Sequence, residues 1–84
     1  MENETKKPVR ELKAGSVVAS LWKNEHSSGP RYAVTFRCLY KKEGIWKKTQ
    51  VFTQNDLGFL AELARQAEAQ VAIQRWNDNK ANGA

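Results

Sequence analysis

The sequence predicts an α+β domain: a three- or four-stranded antiparallel sheet followed by one long C-terminal helix. Three observations predict it. Between residues 16 and 52, apolar and polar side chains alternate in short runs broken by glycine-bearing connections, which is the period of strands. After Phe52 the spacing changes to threes and fours and holds to about Trp76, the period of a helix. The change of period falls on FTQNDL, which carries the marks of a helix start.

The elements follow in order. Residues 1–9, MENETKKPV, are polar and contain Pro8; they are expected to be a disordered arm. A short extended piece is expected at Arg10 to Ala14, with Gly15 opening the first full strand, SVVASLWKN. In that strand Val17, Ala19 and Leu21 point one way and Val18, Ser20 and Trp22 the other. HSSGP, residues 26–30, reads as a loop. In RYAVTFRCLYKK, Tyr32, Val34, Phe36, Cys38 and Tyr40 form the more apolar face and should meet the core. Ala33, Thr35, Arg37, Leu39 and Lys41 form the other, wettable face. KKEG is a tight connection, with Gly44 able to take positive φ. IWKKTQVF is the last strand and has no clean inner face.

Thr53 fits the N-cap of the helix, with Asp56 at N3 completing a capping box and Phe52 and Leu57 at the spacing of a hydrophobic staple. The helix is expected over Gln54 to Trp76, with Leu57, Leu60, Ala61, Ala64, Ala67, Glu68 and Val71 on one stripe. Phe59, Leu63, Ala69, Ile73 and Trp76 widen the apolar character beyond what one sheet face requires. NDNKANGA, residues 77–84, reads as a disordered tail, which leaves a single domain over residues 10–76.

Composition narrows the function. An 84-residue chain makes one domain with a modest core, so association is a natural source of added stability. One cysteine allows no disulfide within the chain, and one Cys with one His cannot furnish the usual four zinc ligands. No apolar run approaches the length of a membrane span, and MENETKKPVR lacks a signal-peptide core, so a cytoplasmic protein without membrane contact is expected. His26 stands alone in a polar loop, Cys38 lies mid-strand on the apolar face, and Gly15, Gly29 and Gly44 have no phosphate-loop spacing. No enzyme activity and no cofactor are expected from these residues.

Binding chemistry is better represented. The net charge is +5, and residues 10–48 hold nine basic against three acidic side chains, whereas residues 57–84 are balanced. Trp22, Lys23, Arg31, Arg37, Lys41, Lys42, Trp46, Lys47 and Lys48 interleave cations with aromatic rings, accompanied by Tyr32 and Tyr40. Single strands are held in this way: cations track the backbone while rings stack on bases without reading their edges. The competing structural reading makes Phe36 plain core and the turn lysines solvated edge residues that discourage strand pairing. Arg37 is the most informative of the set, because a sheet with one helix leaves the Arg37 face to solvent, nucleic acid or another subunit.

GSVVASLWKNE, GPRYAVTFRCLYKKEGIWKKTQVFTQNDL and the Ala-rich helix after them resemble a group of short bacterial proteins, over about residues 10–74. More remotely, strands, basic hairpin and one C-terminal helix resemble the PC4-like family of dimeric single-stranded DNA binders. That resemblance implies a homodimer built through helix packing, with Leu60, Ala64, Ala67 and Val71 near core or dimer contacts. It also implies that Lys23, Arg31, Arg37 and Lys41 to Lys48 form the part that takes single-stranded DNA or RNA. The chain also resembles the three-strand-plus-helix domains of the plant AP2 type and of some integrase arms. There the sheet enters a duplex major groove, and Thr35, Arg37 and Lys47 would be the contacts. A protein-interaction or assembly module is a third reading, resting on the wide helix stripe and the open sheet.

Overall fold

The computed structural model describes residues 7–81. Four strands, β1 (Arg10–Ala14), β2 (Val17–His26), β3 (Gly29–Lys42) and β4 (Ile45–Thr49), make one antiparallel sheet in chain order, and one helix, α1 (Gln54–Ala81), follows. The short piece at Arg10 is a full strand: it pairs with β2 from Arg10 opposite Leu21 to Ala14 opposite Val17. Most of the expected N-terminal arm lies outside the described residues. The part within them already meets the sheet, because the Val9 N–H donates to the Leu21 carbonyl at 2.8 Å.

Two residues connect each strand to the next, so the turns are tight. Glu43 and Gly44 both have positive φ, 53° and 80°, which matches the right-handed twist of the strands they join. The expected five-residue loop at 26–30 shrinks to Ser27 and Ser28, because His26 pairs with Gly29 and Glu25 with Pro30. Pro30 is tolerated inside β3 because β4 pairs only with residues 38–42, so the side of Pro30 turned from β2 is an open edge. The last strand is shorter than expected. It ends at Thr49, whose hydroxyl accepts the Val51 N–H at 3.1 Å and turns the chain off the sheet toward the helix.

The helix lies across β1, β2 and β3 and leaves β4 uncovered. Val17, Ala19 and Leu21 of β2 and Leu63 of the helix are fully buried, with Leu12, Ala14, Val34, Phe36, Phe52 and Leu60 packed around them. Tyr40, Ile45 and Lys47 fall on the helix side by register but lie beyond the helix, and all are exposed. This explains why the last strand shows no inner face in its sequence.

At the helix start, the Asp56 carboxylate reaches back to the Thr53 N–H (2.9 Å) and also takes the Thr53 hydroxyl (3.0 Å). Of the two residues at the staple spacing, Phe52 packs against the core, while Leu57 is 53% exposed. The helix also outruns its expected end. Residues 77–81 are helical, and Asp78 is tied to the sheet by the Tyr32 hydroxyl and by Lys23 Nζ at 3.0 Å. Residues 82–84 lie outside the described residues.

Candidate nucleic-acid interface

Strand register sorts the candidate side chains by face. Because Val17, Ala19 and Leu21 face the helix, Val18, Ser20 and Trp22 face away. Pairing carries that face across the sheet: Glu11 stands opposite Ser20 and Ser20 opposite Thr35, while Val18 is flanked by Lys13 and Arg37. Leu39 and Lys41 continue it along β3, opposite Lys48 and Trp46 of β4. No helix covers this face in the described residues.

The nine candidates therefore divide. Trp22, Arg37, Lys41, Trp46 and Lys48 share the helix-free face. Lys23, Lys42 and Lys47 fall on the other side by register. Lys23 is committed there, paired with Asp78 at 3.0 Å and with Glu25 at 3.9 Å. Arg31, opposite Asn24, also falls on the helix-free face by register, but at its far end by the β2–β3 hairpin, where it borders a hollow with Pro30, Tyr32, Val71 and Arg75.

Two hollows mark the helix-free face. One, of about 600 Å³, is lined by Glu11, Ser20, Trp22, Thr35, Arg37 and Lys48, with Phe36, Thr49 and Gln50 at its border. The Trp22 ring is half-buried, and its Nε1 donates to the Thr35 hydroxyl at 2.8 Å, which fixes the ring's orientation. Arg37 is not a free cation. Nη1 donates to Ser20 Oγ at 2.9 Å and Nη2 lies 3.3 Å from Glu11 Oε2. Ser20 is fully buried and donates its own proton to the same Glu11 oxygen at 3.0 Å.

The second hollow, of about 470 Å³, is bounded by Lys13, Gly15, Ser16, Leu39 and Trp46. Trp46 is 65% exposed, and Lys41 Nζ stands 5.8 Å from its ring centre, within cation–π range. A large exposed ring beside a cation is suited to stacking on a flat partner. No family model, curated protein or solved structure matches the chain.

Lys13 and Glu11 belong to the face but are not among the sequence candidates. Their signal was present in the alternation of RELKA, which becomes readable only once β1 is known to pair with β2. Among the described residues no group of three or more His, Cys, Asp or Glu could hold a metal ion, and no helix is long and apolar enough to cross a membrane.

On the opposite side, two carboxylates anchor the helix. The Thr53 backbone N–H, followed by the Ser16 and Thr53 hydroxyls, holds the Asp56 carboxyl below the usual carboxylate range. Hydrogen bonds from Tyr32 and then Lys23 do the same for Asp78. The Lys23 ammonium is raised in turn by its bond to Asp78, and the Tyr32 phenol is raised by burial and by that carboxylate.

Proposed function

We propose that the protein binds single-stranded nucleic acid, DNA in the first instance, on the helix-free face of its sheet. The observation that carries this reading is the register: it sets Trp22 and Trp46 on one uncovered face with Arg37, Lys41, Lys48 and Lys13 among them. Each hollow beside a tryptophan is of a size to accept a base, and stacking contributes roughly 1–3 kcal/mol per base without selecting sequence. The lysines supply the salt-sensitive part of the affinity. The PC4-like resemblance points the same way.

The same reading takes the protein as a homodimer joined through its helices. A groove of about 470 Å³ between α1 and β3 is lined by Val34, Phe36, Ala64, Ala67, Glu68, Val71, Ala72 and Arg75. Small side chains let a second helix approach closely. Glu68 and Arg75 are seven residues apart, about 10 Å along the helix. A two-fold axis near Val71 and Ala72 sets an antiparallel copy so that each Glu68 meets the other copy's Arg75. This is the self-complementarity that an isologous interface requires.

The deciding experiment titrates a labelled single strand and its matched duplex against the protein at several salt concentrations. The reading expects preference for the single strand and an affinity that falls steeply with salt. Preference for the duplex with sequence selection would favour the AP2-type reading. No binding of either at low salt would leave the interaction module.

A further inference from the structure

On the helix-free face, Glu11 Oε2 accepts from two donors at once, the Ser20 hydroxyl at 3.0 Å and the Arg37 guanidinium at 3.3 Å. Those donors are well organised: Ser20 is fully buried, and Arg37 is held by Ser20 Oγ at 2.9 Å. Glu11 is the looser member, with its side chain 50% exposed against 31% for Arg37. A hydroxyl and a guanidinium converging on one anionic oxygen suit a phosphodiester oxygen as well as a carboxylate. All three residues line the hollow that also holds Trp22 and Lys48.

We propose that the Ser20–Arg37 corner is a phosphate subsite that the Glu11 carboxylate occupies in the free protein. Glu11 thereby acts as an internal competitor that sets how tightly a strand is held; this rests on the single-strand reading above. When a phosphate enters, Glu11 swings out and Arg37 exchanges one anion for another. The released carboxylate takes up a cation from solution, which offsets the counterion freed from the strand. Salt dependence in the wild-type protein is therefore shallower than its number of phosphate contacts implies.

The test compares binding of a labelled oligothymidylate across a salt series by wild type, Glu11→Gln, Arg37→Ala, the double variant, and Glu43→Gln. Glutamine at 11 keeps an oxygen for Ser20 and Arg37, so the corner stays folded. Glu43→Gln removes the same charge at the β3–β4 turn, away from Arg37. The expected result is about three- to tenfold tighter binding by Glu11→Gln at low salt, with a salt slope steeper by about 0.7. Glu43→Gln should gain less, and the gain from Glu11→Gln should vanish once Arg37 is alanine. Equal gains from the two glutamines, or a gain that survives the loss of Arg37, would overturn it while leaving the single-strand reading intact. No binding by any variant at low salt would overturn both.

Discussion

Gly15 shows how much a single position can be constrained. Its φ is +57°, and a Cβ there would lie 2.6 Å from the Phe59 ring. Gly15→Ala should cost roughly 1–2 kcal/mol from the left-handed backbone alone, with the ring clash adding to it. A denaturant melt of Gly15→Ala with and without Phe59→Ala checks this: the double variant should recover only the steric part. Arg37→Ala should weaken strand binding at low salt while the far-UV circular dichroism stays native. Unchanged affinity would count against the helix-free face. Residue-level reading of the sequence separated faces well, since strict alternation in β3 assigned Phe36 inward and Arg37 outward. It did not show that Arg37 is tied to Glu11 and Ser20, because that network spans three strands. Lys23 illustrates the same limit: its neighbours in sequence suggest a phosphate contact, and its partner Asp78 is 55 residues away.

At the scale of elements, the helix is held at both ends by carboxylates. Thr53→Ala should lose about 1 kcal/mol with the hydrogen bond its hydroxyl donates to Asp56 at 3.0 Å, measured by denaturant melt. Asp56→Ala should lose more, because Asp56 also accepts the Ser16 hydroxyl at 3.0 Å and so ties the helix start to the β1–β2 turn. The folded pKa values of Asp56 and Asp78 are both depressed, so the stability they contribute is complete above the ordinary carboxylate value of about 3.9. It is lost as pH falls through their lowered values. Asp78→Asn should therefore flatten the acid limb of a stability–pH curve, and an unchanged limb would show that the anchor is idle. The helix start was legible because its cap is local in sequence. The helix end was not, because NDNKA has no large apolar residue to extend the period and is held by the sheet instead.

For the whole molecule, the dimensions of 51 × 31 × 16 Å describe a slab. Its radius of gyration is 15.2 Å, against about 12 Å for a compact domain of this length. So thin a body has room for few fully enclosed side chains, and Ile73 and Trp76 of the helix remain at least half exposed. A second copy in the groove is expected to supply part of what the lone chain lacks, and melting temperature should rise with protein concentration. Glu68→Arg should split the proposed dimer in sedimentation, and Glu68→Arg with Arg75→Glu should restore it. Restoration failing while each variant stays folded would remove the two-fold arrangement. The overall order of strands and helix was legible from periodicity. Which strand the helix leaves bare was not, because β4 carries lysines and large apolar side chains on both of its faces.

The sheet runs in chain order, each strand beside its predecessor, with two-residue turns throughout. Such a chain can zip its strands together one hairpin after the next, each closing a short loop at small entropic cost. The distant ties come last, when Asp78 returns to the β2–β3 hairpin. The ribbon of strands should therefore gain protection from hydrogen exchange before the far end of the helix does, and the seat of the proposed grip should be assembled while the helix is still settling.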